Sequence, residues 1–330
     1  MVLRRTVASA FRRTLIGIAL SGAALLAAPW TPPRAADGHP DLSGVWENNS
    51  ATPLERPAQF AGKPLLSDAE LADLQNRASK IFAPDQDAAF GDAFYTALLT
   101  ETNNGGRGAG TYSANWLPNR NLERRTSLIN DPPDGKLPPF TQSFQQARAA
   151  AAAARPRFIR GPEDMFVTDR CISYGVPDLF AAYMSVYRIM QSRDAVVIAM
   201  EKIHDTRIIP LDGRPHISSK IRHYLGDPRG RWDGDTLVVE TTNFHPNGNA
   251  MGGLFRFADQ NLTLTERFTR SGPDGITYEF TVNDPTVWTR PWTAMVPWTR
   301  SRGQIYEYAC HEGNYSLANM LSVARYEESH

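Results

Sequence analysis

The stretch LTLTERFTRSGPDGITYEFTV, residues 262–282, decides the fold class. Two runs of alternating polarity, 262–269 and 276–282, flank the turn-forming sequence Ser271-Gly272-Pro273-Asp274-Gly275. Period-two alternation marks a strand with one buried face, and a Gly- and Pro-bearing turn between two such runs marks a hairpin. In the first run Leu262, Leu264, Glu266 and Phe268 share a face, opposite Thr263, Thr265 and Arg267. In the second, Ile276, Tyr278, Phe280 and Val282 lie opposite Thr277, Glu279 and Thr281. Glu266 breaks the pattern: it projects into the apolar side.

The same texture extends both ways. Upstream, runs 179–191 and 195–209 flank Ser192-Arg193-Asp194, and Arg231-Trp232-Asp233-Gly234-Asp235 carries an Asp-Gly hairpin signal ahead of a strand at 236–244. Downstream, 292–299 and 304–311 complete a meander. Six or seven strands so closely spaced, with no helical pattern long enough for parallel crossovers, predict an antiparallel barrel or sandwich.

Before residue 156 the chain is rich in Pro, Ala, Asn and Gly, with poor apolar periodicity. Ser67 and Glu70 form a capping-box pattern that starts a helix running to about Ile81. Residues 145–155 are Ala-rich and helical by propensity, 103–110 read as a flexible loop, and Asp131-Pro132-Pro133-Asp134-Gly135 as a turn. The expected organisation is a leader over 1–36, a helix-and-loop extension over 37–155 that wraps the core, and an antiparallel β domain over 156–330.

The leader has the plan of an export signal: Arg4, Arg5, Arg12 and Arg13, then an apolar run from Leu15 to Ala28, then small residues and prolines. That run is too short for ~30 Å of hydrocarbon, so a soluble periplasmic or secreted protein is expected, without stable membrane insertion. Arg12-Arg13 also fits twin-arginine export. Lys+Arg and Asp+Glu both number 35, and no basic stripe argues for nucleic acid. Cys171 and Cys310 are the two cysteines, read as one disulfide in an oxidising compartment, with a reactive or metal-binding thiol as the alternative.

Asp41-Leu42-Ser43-Gly44-Val45-Trp46 is similar to the Gly-x-Trp opening of lipocalin-type barrels. The likeness implies that Trp46 plugs one barrel end beneath an arginine from near the C-terminus, here Arg325. Three further blocks are IHDTRIIPLDGRPH (203–216), GDPRGRWDGDTLVVETTNF (226–244) and IYEYACHEGNY (305–315). They resemble a large family of secreted bacterial proteins usually catalogued as hypothetical. That resemblance implies export and brings no reaction or catalytic residue with it.

Chemistry is therefore read from the residues. A carboxylate buried at Glu266 would have its pKa raised, as a general base or acid requires; the bland alternative is a Glu satisfied by an Arg. His204 sits where the run 195–209 turns polar, and His is the side chain that titrates near neutral pH. His311 follows Cys310 directly. Arg207, Asn243 and Tyr306 are candidates to stabilise developing negative charge. With His204, His216 and His311 spread singly, and no His-x-His or His-Glu-x-x-His spacing, no metal or other cofactor is expected. The late aromatics Trp288, Trp292, Trp298, Tyr306, Tyr308 and Tyr315 suit a packed core, a cavity for a hydrophobic or aromatic small molecule, or both. Two functions follow: a cofactor-free lyase or isomerase that transfers protons, with Glu266 as base and His204 or His311 as acid, or a periplasmic binding protein for a lipophilic ligand. The oligomeric state is not legible.

Overall fold

Alternation does produce strands here, and they curl into one antiparallel barrel. The computed structural model describes residues 30–83, 89, 92–102, 120–154, 158–179, 184–246 and 261–330. The leader's charged and apolar parts, and the 103–110 loop, lie outside the described residues. In chain order the elements are β1 (Gly44–Glu47), α1 (Asp68–Ile81), α2 (Asp92–Thr100), β2 (Ile129–Asp131), α3 (Gln142–Ala153), β3 (Val186–Gln191), β4 (Ala195–Met200), β5 (Thr206–Pro210), β6 (Asp227–Asp233), β7 (Thr236–Thr242), β8 (Thr263–Gly272), β9 (Gly275–Asn283), β10 (Trp292–Arg300) and α4 (Tyr315–Glu328).

Nine strands run in the order β5-β4-β3-β1-β10-β9-β8-β7-β6. Two meanders, β3 to β5 and β6 to β10, are joined by β1, which pairs with both β3 and β10. β2 takes the other end of the same β10 edge, with Ile129 opposite Ala294. β5 lies against β6 without a hydrogen-bonded ladder. The contact is at Gly230, where a Cβ would fall 2.7 Å from Ile209 Cγ2 and from Leu211 Cδ2. Glycine allows that approach, and the barrel nearly closes there.

The inward positions of β4 and of β7 to β10 form the main core, with Val196, Ile198, Leu264, Phe268, Ile276, Phe280, Val296 and Trp298 all buried. Register explains the parity of the central hairpin: Phe268 stands opposite Tyr278, and Glu266 opposite Phe280. Segment 37–155 gives the barrel its first strand and carries a second apolar cluster, in which Leu66, Leu74, Phe94, Tyr95 and Leu98 pack between α1 and α2. The capping box at Ser67 and Glu70 is present. α3 begins at Gln142 because Thr141 accepts a hydrogen bond from the Phe144 N–H and caps it there.

Four expectations are corrected. The run 195–209 is not one strand but the hairpin β4–β5, turning through 201–205. Ile203 and His204 hold φ of 55° and 59° there, and a turn without Gly, Pro or Asn leaves no local signal. In the run 179–191, Met184 and Ser185 precede the strand, which begins at Val186, and residues 180–183 lie outside the described residues. Residues 304–311 form no strand; they cross the barrel irregularly and lead into α4, an unforeseen helix. Trp46 is fully buried and donates to the Leu42 carbonyl, but the guanidinium groups over its ring belong to Arg300 (4.5 Å) and Arg270 (5.1 Å). Arg325 instead lies on α4, bonded to Glu328 and to the carbonyls of Ile159 and Arg160. The Cys171–Cys310 disulfide is formed. Among the described residues no helix is long and apolar enough to cross a membrane.

Candidate functional site

Three parts of the chain meet at one end of the barrel lumen. The segment Val176-Pro177-Asp178 leads into β3, the β4–β5 turn supplies Met200 and Asp205, and β5, β8, β9 and β10 supply Arg207, Glu266, Phe268, Tyr278 and Trp298. The hollow among them measures about 380 Å³ when its open mouth is counted, but only about 20 Å³ admits the centre of a water-sized sphere. One or two waters need about that much. This hollow is therefore nearly filled by its own side chains, and any ligand body larger than a water must sit at its mouth.

Two ion pairs line this hollow. Arg207 is bidentate on Glu266: its Nη1 donates to Oε1 at 2.8 Å and its Nη2 to Oε2, while Nη2 also reaches Thr241 Oγ1 at 3.1 Å. Tyr278 donates its hydroxyl to the same Glu266 Oε1 at 2.8 Å. Lys202, reaching inward from the β4–β5 turn, donates to Asp178 Oδ2 at 2.8 Å and to Ser185 Oγ at 2.9 Å, and Tyr187 donates to that Asp178 oxygen at 2.8 Å. Both pairs are nearly inaccessible, at 6% and 1% for Arg207 and Glu266 and 1% each for Lys202 and Asp178. Breaking either pair would leave a lone buried charge.

Burial governs the titration of these groups. It pushes the Tyr187 and Tyr278 phenols well above their ordinary range, and Asp178 and Glu266 beside them add to the shift. Both tyrosines stay protonated donors at neutral pH. Burial lowers the Lys202 pKa, with Asp178 working against it. For Arg207 burial also pulls downward, but Glu266 outweighs it and the net shift is upward.

Asp205 differs from the other two acids. It is buried, and its Oδ2 accepts from the Tyr174 N–H at 2.6 Å and from Ser173 Oγ at 3.0 Å. Among the described residues it has no ion-pair partner. Burial raises its pKa, and the two hydrogen bonds and the charge of Arg207 only partly offset that. The turn carrying it is strained: left-handed backbone at a β-branched residue such as Ile203 is rare and costs on the order of 1–3 kcal/mol. The turn is held in that shape by Met200 N–H on the Asp205 carbonyl (2.8 Å), by Tyr306 N–H on Glu201 Oε2 (3.2 Å) and by Tyr308 N–H on His204 Nε2 (3.2 Å).

Of the residues singled out from sequence, Glu266 and Arg207 come together in the hollow. His204 is exposed on the turn, with its ring against the 304–311 segment, and His311 is exposed beyond the disulfide. Asn243, at the end of β7, binds the carbonyls of Ile217 and Ser218. Tyr306 is 64% exposed and uses its backbone, not its ring, near the site. Asp178, Lys202, Asp205, Tyr187 and Tyr278 were not singled out. Two signals could have found some of them. Asp205 shares inward parity with Arg207, and Tyr278 puts a hydroxyl on an apolar face. Asp178 lies in a segment without periodicity and gave none. No group of three or more His, Cys, Asp or Glu poised to hold a metal occurs among the described residues. No protein-family model, curated protein or solved structure matches the chain.

Proposed function

We propose that the protein is an exported barrel enzyme that transfers protons on a small organic molecule, a reaction that needs no cofactor, with Asp205 as the proton acceptor. One observation carries the reading. Three carboxylates line the hollow, two are neutralised by a cation, and Asp205 is not. An acid kept buried without a counter-ion binds a proton more tightly than usual, as a general base requires. Glu266 is then a positioning group: both its oxygens are committed, and it fixes the guanidinium of Arg207 beside Asp205. A carrier for a lipophilic ligand fits less well, because this lumen offers charges and water-sized space where such a ligand needs an apolar hollow. The export signal, the disulfide and the likeness to secreted bacterial proteins support a place outside the cytoplasm.

The test uses 5-nitrobenzisoxazole, whose ring opens with a colour change when a base removes its carbon-bound proton. The mature protein should open it with saturation kinetics, and the rate should rise with pH as Asp205 ionises. Asp205→Asn should lower the rate at least ~100-fold. A variant as fast as the parent, or a parent no faster than buffer, would overturn the assignment.

A further inference from the structure

We infer that the substrate is a small carbonyl compound, with its oxygen held by the Nε–H of Arg207 while Asp205 removes the proton from the adjacent carbon. This rests on the proton-transfer reading above and names its substrate class. It begins from an unsatisfied atom. Arg207 Nε is buried with no hydrogen-bond partner, although Nη1 and Nη2 of the same guanidinium both donate to side chains. A buried N–H without an acceptor is costly, because its hydration is lost and nothing replaces it. An orphan donor on a residue lining a hollow points to an acceptor that arrives with a ligand.

The second observation is position. Asp205 and Arg207 stand two residues apart, both inward, with exposed Thr206 between them. Alternate residues on an extended chain are roughly 6.6 Å apart along the strand, so one cationic donor and one uncompensated carboxylate flank the same small space. A ligand must offer the donor an acceptor oxygen and offer the acid a proton within that span. A carbonyl with a hydrogen on its α-carbon does both. Glu266 and Thr241 hold the guanidinium, and Tyr278 in turn holds Glu266, so the donor is already fixed before charge develops.

The step balances within the pair. The α-C–H bond breaks and its proton goes to Asp205. The electron pair forms the new C=C bond, and the carbonyl π pair moves to oxygen as an enolate that accepts from Arg207 Nε–H. Returning the proton to either face or to another carbon completes an isomerisation, with no net oxidation. The water-sized inner space admits only the carbonyl end, and Phe268 and Trp298 face whatever follows it.

The mature protein is incubated with butan-2-one in D2O, and loss of the α-proton signals is followed by NMR. Saturable exchange is expected, at least ~100-fold slower in Asp205→Asn. A second measurement needs no turnover: 4-nitrophenolate serves as a mimic of the enolate oxygen and nitrobenzene as its neutral counterpart. Asp205→Asn removes a like charge and should bind the phenolate more tightly than the parent does. Arg207→Lys, which keeps the charge facing Glu266, should bind it at least ~10-fold more weakly while retaining its circular dichroism. Benzisoxazole opening without ketone exchange would overturn the carbonyl assignment and leave the proton-transfer reading standing. Failure of both reactions would overturn both. If Arg207→Lys does not fold, equal affinity of Asp205→Asn for phenolate and nitrobenzene refutes the oxygen-holding role.

Discussion

Glu266 and Asp205 are both buried acids, and substituting each should act in opposite directions on stability. Glu266→Gln leaves Arg207 charged and unpaired in the lumen, which should cost about 3–5 kcal/mol in urea unfolding. A loss under about 1 kcal/mol would mean that the pair is not closed in solution. Asp205→Asn should stabilise at neutral pH, because Oδ2 can be replaced by an amide oxygen that accepts the same two hydrogen bonds. The sign follows from linkage. The folded state binds the Asp205 proton more tightly than the unfolded chain does, so the parent loses stability as pH rises from about 3.9 through the raised folded pKa. The advantage of the variant should be full above that window and fade below it; an advantage that does not change with pH would refute the linkage. Parity made Glu266 visible in the sequence, since it interrupts a clean apolar alternation. Asp205 is harder to read: parity puts it on the face of Arg207, but no sequence pattern shows that it, unlike Glu266, lacks a counter-ion.

At the level of elements, turn chemistry decided what could be read. The hairpin β8–β9, built on Gly, Pro and Asp, is legible with nearly correct bounds, and so is β7 after its Asp-Gly turn; β6 is not, because its Pro and Gly break the alternation and its last three residues read as turn. The β4–β5 turn is held by long-range contacts from Ser173, Tyr174, Asp178, Tyr306 and Tyr308, and nothing local announces it. The segment 304–311 misled for the converse reason: its aromatic alternation looks like a strand, but the disulfide and two backbone bonds fix it instead. Closure at the β5–β6 seam depends on Gly230, and the long 211–226 connection between these strands carries no signal of their register. Gly230→Val should press against Ile209 and Leu211 and force the strands apart, costing about 1–3 kcal/mol as overpacking does. Amide hydrogen exchange should show the loss concentrated in β5 and β6. Uniform protection equal to the parent would mean that the seam tolerates the extra atoms.

For the molecule as a whole, the stretch ahead of β1 is tied to parts of the barrel far along the chain. Arg34 forms a bidentate pair with Asp235, and Arg270 donates to the Asp41 carbonyl across 229 residues of sequence. Leader removal should therefore stop short of this anchor. Mass spectrometry of the exported protein should place the mature N-terminus between about Ala27 and Arg34; recovery of only the full-length chain from the cytoplasm would refute export.

β1 has its neighbours in β3 and β10, and the second of these lies at the far end of the strand sequence, after every other described strand. Until β10 emerges, β1 and β3 present a bare edge, able to pair with any extended chain nearby. Non-local closure of this kind is slow to form because the ends must find each other across most of the chain. The barrel therefore cannot close before β10 has been made. The interval in which the β1 edge waits for that partner is when the chain is most exposed to aggregation, so the order of synthesis, more than final stability, sets where this fold is vulnerable.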